Sequence, residues 1–132
     1  MLIIIYSALI SYMLFFSFCI APPINIVLDR KNSSILLRKI FPRNFWFGII
    51  LSFVATIISF YEENNLSILI SIIILILFFT NLYFLMPAIN NEADSLKKAK
   101  SYSKKFKMLH LISVVLYLIN IILSTIILFV IV

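Results

Sequence analysis

Glycine, cysteine, histidine and tryptophan each occur once among the 132 residues, and charged side chains make up only 12% of the chain. Each scarcity excludes something. One glycine leaves no GxxxG helix-pairing motif and no glycine-rich phosphate loop. One cysteine, Cys19, allows no intramolecular disulfide. One histidine, His110, with no Cys or carboxylate at ligand spacing, falls short of the three or four protein ligands that a zinc site uses. No serine nucleophile stands beside a base, and catalysis has little to rest on.

What is present instead is apolar side chain. A hydrophobic content of 64% lies far above the roughly 45–50% of soluble domains. A hydrocarbon core about 30 Å thick takes roughly 20 apolar residues per helical crossing. Four uncharged runs meet that requirement, at about residues 2–21, 45–61, 66–86 and 109–132. Inside lipid a helix satisfies its own backbone hydrogen bonds, whereas open sheet edges cannot persist. The runs are continuous rather than alternating, which excludes a transmembrane barrel. The expected fold is all-α: a single domain over residues 1–132, forming an integral membrane four-helix bundle.

Charge sets the expected topology. All 11 Lys and Arg residues fall in two segments, 22–44 (Arg30, Lys31, Arg38, Lys39, Arg43) and 87–108 (Lys97, Lys98, Lys100, Lys104, Lys105, Lys107). The positive-inside rule puts both loops in the cytoplasm and leaves both termini and the "EENN" turn outside. Basic runs such as "KKAKSYSKK" also occur in nucleic-acid binders, but beside membrane spans they are accounted for by topology and by attraction to anionic headgroups. No nucleic-acid partner is expected. "MLIII" lacks the positive region of a signal peptide, so the first run is read as a retained helix. Pro22 and Pro23 are expected to end or kink that helix, and Pro87 the third. Within the basic segments, "NSSILLRKIFPRNF" suits a short amphipathic helix with Ile35, Leu36 and Ile40 in the interface and Arg38 and Lys39 toward water, and the third helix is expected to continue, kinked, into the cytoplasm. A bias toward Ile, Lys and Asn, of the kind AT-rich coding gives, points to a bacterial inner membrane.

The polar residues within the runs are few. In "KMLHLISVVLYLIN", His110, Ser113, Tyr117 and Asn120, followed by Ser124, recur at three- and four-residue intervals, the spacing of a helix-packing seam. Weaker stripes stand in the other runs: Ser7 and Ser11; Ser52, Thr56 and Ser59; Ser67, Ser71 and Asn81. At about 1.5 Å rise per residue, Asn81 lies near the level of Ser113 and Tyr117. The candidate site is therefore a polar cluster of Asn81, His110, Ser113, Tyr117 and Asn120 in the cytoplasmic half of the bundle. Its plainest role is helix packing. His110 alone could change charge near neutral pH, or ligate a metal or a haem with Met13, Met86 or Met108. No Asp, Glu, Lys or Arg lies inside any run, so the carboxylate relay of a small proton-coupled exporter is missing.

Four stretches, in order, carry a family resemblance: "FFSFCIAPPINIVL", "KIFPRNFWFGIIL", "NLYFLMPAI" and "FKMLHLISVVLYLIN". Together they resemble the transmembrane protein 205-like family, in its bacterial domain-of-unknown-function branch. Pro22, Phe41, Pro42, Gly48, Asn81, Pro87, Phe106, His110 and Ser113 follow its pattern. Asn44 departs from it where a tyrosine is usual, and Tyr117 where an asparagine is usual. The resemblance implies a four-helix membrane protein without established enzymology. A more distant similarity to copper-resistance-D-like membrane proteins keeps metal or haem handling as an alternative. The expected function is a non-enzymatic membrane module, an accessory subunit or a permeation or resistance factor. Self-association and membership of a larger membrane complex are both compatible with it.

Overall fold

A computed structural model describes residues 1–95 and 102–132. Lys97, Lys98 and Lys100 of the second basic segment lie outside the described residues. Four helices are long and apolar enough to cross a membrane: α1 (Leu2–Val27), α2 (Arg30–Tyr61), α3 (Asn65–Ser95) and α4 (Lys104–Ile131). The described residues contain no strand. Successive helices run antiparallel, and α1 closes the bundle by packing on α4 as well as α2. One end carries the basic segments; the other carries the "EENN" turn.

The helices run further than the apolar runs. Helix α1 continues past Ala21 to Val27, α2 begins at Arg30 rather than near Phe45, α3 reaches Ser95, and α4 begins at Lys104. Segments expected as basic loops are therefore largely helical projections of the bundle. The prolines do not stop them. A five-residue π-helical turn, Phe16–Ile20, precedes Pro22 and Pro23, and another, Asn81–Leu85, precedes Pro87. Each widens the helix by one residue just where a proline ring would meet the carbonyl four residues back, and where its missing N–H would break the ladder.

Local chemistry fixes the ends. Helix α2 stops at a left-handed Glu63 (φ 52°), with Asn64 N–H donating to Ser59 O at 3.0 Å and Glu63 N–H to Phe60 O at 3.3 Å, the Schellman pattern. The Asn64 side chain then caps α3 by accepting from Ser67 N–H at 3.0 Å, and Ser103 caps α4 by accepting from Phe106 N–H at 3.1 Å. At the start of α2, Asn32 Nδ2 donates to Asp29 Oδ1 and holds that carboxyl below its usual range. The amino terminus sits 3.3 Å from Glu62, so it shares an end with the "EENN" turn.

Helix α1 buries Leu2, Tyr6, Leu9, Met13 and Phe16, a four-three seam, and leaves Ser11 exposed and Ser7 half-buried. The seam is not the serine stripe. A serine in a helix can bond its own preceding carbonyl wherever it points, whereas Tyr6 gains by reaching across the bundle. The outward faces carry large apolar groups, with Ile4, Phe18, Phe84 and Phe129 each more than 70% exposed. In water this would be an aggregation surface; against acyl chains it costs nothing.

Gly48 of α2 faces side chains of both α1 and α3. A Cβ built there would overlap the Phe78 ring of α3 and the Tyr12 hydroxyl of α1. Phe78 is fully buried and cannot yield. Gly48→Leu is expected to lower stability by about 1–3 kcal/mol or more from overpacking, read by unfolding in mixed micelles. An unchanged unfolding midpoint would mean that the helices do not approach so closely.

Candidate functional site: a cavity at the basic end

Five aromatic rings gather where the apolar runs give way to the basic projections. Tyr117 of α4 is surrounded by Phe16 (6.4 Å between centroids), Phe45 (6.2 Å) and Phe78 (6.2 Å), with Phe41 against Phe16 at 5.4 Å and Phe45 at 5.9 Å. Aromatic packing of this kind adds stability beyond the area buried. It also makes a floor. Above it residues of all four helices line a cavity of about 320 Å³ whose walls include Asn25, Ser33, Arg38, Asn90, His110 and Ser113.

Polar contacts hold the walls. Arg38 of α2 donates to Asp94 Oδ1 at 2.7 Å and to Asn90 O at 3.3 Å, tying α2 to the end of α3. Both side chains are partly exposed, so the ion pair contributes at most about 1 kcal/mol and serves mainly to fix position. Glu92 of α3 accepts from Ser103 at 3.0 Å and lies 3.7 Å from Lys105. On the α4 side, Arg30 stands over the Tyr102 ring at 4.0 Å, Tyr102 stacks on Phe106 at 4.1 Å, and Phe106 lies parallel to His110 at 6.3 Å. These planar groups form one edge of the cavity.

The five residues expected to cluster divide into four groups. Asn81 and Ser113 come together: Ser113 Oγ donates to Asn81 Oδ1 at 2.6 Å, and Asn81 Nδ2 donates to Ser113 O at 3.4 Å. Tyr117 pairs instead with Asn44 of α2, the Asn44 amide donating to the Tyr117 oxygen at 3.1 Å. Asn120 is fully buried, and neither of its amide atoms has a partner among the described residues. His110 makes no hydrogen bond to any of them, although it lines the same cavity as Ser113 and Tyr117. It is exposed and stacks on Phe106.

Asn44 was not among the expected residues. The only hint of it was its place, with Tyr117, as one of two departures from the pattern that the sequence resembles; the two are hydrogen bonded to each other. A second polar group lies at the turn end, where serines of the weaker stripes meet a tyrosine that sequence reasoning missed: Tyr6 OH meets Ser67 Oγ at 2.9 Å and Ser59 Oγ meets Ser67 Oγ at 2.7 Å. Thr56 donates to Ser71 at 3.0 Å one turn further in.

A metal ion fits this site poorly, since the described residues hold no group of three or more His, Cys, Asp or Glu side chains placed to bind one. Of the methionines considered as haem partners for His110, Met86 lines the same cavity, Met13 is buried in the core and Met108 is exposed.

Fold and site define the class: an all-α, multi-pass membrane protein with a cavity at its charged end. Within that class the chain belongs to the family described as Domain of unknown function (DUF4149), whose model matches residues 4–98. That match covers α1, α2 and α3 and stops before α4. No curated protein and no solved structure matches the chain.

The Asn44–Tyr117 pair yields a direct prediction. Asn44→Tyr and Tyr117→Asn should each cost about 1–3 kcal/mol, because each strands a buried polar group. The double variant, which swaps the two side chains and so keeps an amide facing a phenol, should recover most of the loss. Unfolding midpoints in mixed micelles measure this. Costs that simply add in the double variant would show that the two residues do not act as a pair.

Proposed function

We propose that the protein is a non-enzymatic membrane module that binds a small amphiphile in the cavity at its basic end. The observation that carries this reading is the cavity itself: about 320 Å³, floored by Phe16, Phe45 and Tyr117 and rimmed by Asn25, Arg38 and His110. An apolar floor with a few convergent polar groups is the usual make-up of a small-ligand site. Asn81 and Asn44 act behind it, bonding Ser113 and Tyr117 and so fixing two of the walls.

On this reading the basic end faces the cytoplasm of a bacterial inner membrane, supported by the gathering of every Lys and Arg in the two basic segments. The same charges attract anionic headgroups, which brings amphiphiles to the cavity mouth. Finer membership in the transmembrane protein 205-like group rests on the four motifs. Three of them lie within the matched residues 4–98.

Native mass spectrometry of protein extracted in mild detergent tests the ligand site. The expected result is a bound small amphiphile that is lost or strongly reduced in Ala93→Trp, which fills the cavity from α3. Equal retention by both forms would contradict the proposal.

The second reading is a haem held by His110, favoured by Met86 on the same cavity wall. An absorption spectrum of the purified protein decides it, since haem gives a Soret band and a bare helical bundle does not.

A further inference from the structure

One helical turn inward from the Asn44–Tyr117 pair, three buried polar groups have no hydrogen-bond partner among the described residues: the Asn120 amide, the Ser124 hydroxyl and the Tyr12 hydroxyl. They arrive from different helices at nearly one depth. Helices α2 and α4 run in the same direction, and Asn44 is bonded to Tyr117. Gly48 and Asn120 therefore stand at levels within about one residue rise of each other, about 1.5 Å. The Tyr12 hydroxyl lies beside Gly48, in the space where a Cβ would fall. Ser124 follows Asn120 by one turn on the same face, and both residues are completely buried.

The surrounding core is apolar, with Leu9, Ile74 and Ile127 fully buried. Unpaired amides and hydroxyls are costly in such a medium. Ser52, Thr56 and Ser59 relieve the same cost by donating to the carbonyl four residues back, but the Ser124 hydroxyl makes no such bond. Nor can lipid or a second copy of the chain reach Asn120 and Ser124, which expose no surface.

The donor and acceptor pattern then selects the guest. Nδ2 of Asn120 needs an acceptor and Oδ1 needs a donor. A cation would satisfy the oxygens and leave Nδ2 stranded. An anion would satisfy Nδ2 and repel Oδ1. Water does both, and a buried water held by two to four polar groups is a common structural element.

We propose that Asn120, Ser124 and Tyr12 form an internal hydration site in the middle of the bundle, holding at least one long-lived water molecule one turn beneath the cavity floor. Nothing in this depends on what the cavity binds. The Asn44–Tyr117 pair separates the two, so the water exchanges with the cavity only when that pair opens.

The test is magnetic resonance on the unaltered protein in lipid nanodiscs, with asparagine labelled in ¹⁵N and assigned through its backbone connections. The expected result is a cross-peak between the Asn120 side-chain amide protons and water, with NOE and ROE of opposite sign, as a slowly exchanging water gives. Absence of any water cross-peak at Asn120 would overturn the proposal. So would connection of its amide only to side-chain protons of a neighbouring helix.

Discussion

Between helices in a bilayer there is no hydrophobic drive, because lipid tails are as apolar as leucine. The bundle must therefore be held by what lipid cannot offer, namely hydrogen bonds between side chains and close backbone approach. The structure is arranged accordingly. Among the described residues, every fully buried polar side chain apart from tyrosine is a serine or an asparagine, and the one glycine leaves room for the Phe78 ring and the Tyr12 hydroxyl. Large apolar residues are spent on the outside.

These bonds fall in two tiers, with the unpaired Asn120 and Ser124 between them. At the turn end, Ser59, Ser67 and Tyr6 join α2, α3 and α1. Toward the basic end, Asn81 with Ser113 joins α3 to α4, and Asn44 with Tyr117 joins α2 to α4. Beyond the second tier the helices continue out of the apolar zone, and their projections line the cavity. The two π-helical turns belong to this change of regime. They sit at Phe16–Ile20 and Asn81–Leu85, at the basic end of the apolar runs, and let α1 and α3 pass their prolines without stopping.

The fold class was legible in the sequence because lipid imposes a blunt rule: uncharged runs of sufficient length become helices that cross. Helix limits were not legible in the same way. Composition marks where lipid ends, not where the helix ends, so Arg30–Arg43 read as a separate short amphipathic helix although it continues α2 without a break. Continuation of the third helix past Pro87 was legible, but the π-helical turns that accommodate the prolines leave no mark in composition. The packed face of α1 was misread for a related reason: serine's small hydroxyl stands out in an apolar run, while the seam is carried by Tyr6, Leu9 and Met13. The candidate site was legible in part. Spacing on α4 indicated the inward face from Ser113 to Ser124. It could not show that His110, one turn earlier on the same stripe, is exposed on the cavity wall.

The measurement that bears most directly on the interior bonds is a double-mutant cycle on Asn81 and Ser113, using Asn81→Leu and Ser113→Ala, with unfolding followed in lipid or mixed micelles. A coupling free energy of about 0.6–2 kcal/mol between the two sites is the result expected if polar pairs hold α3 against α4. Coupling indistinguishable from zero would contradict it and leave shape alone to hold the helices together.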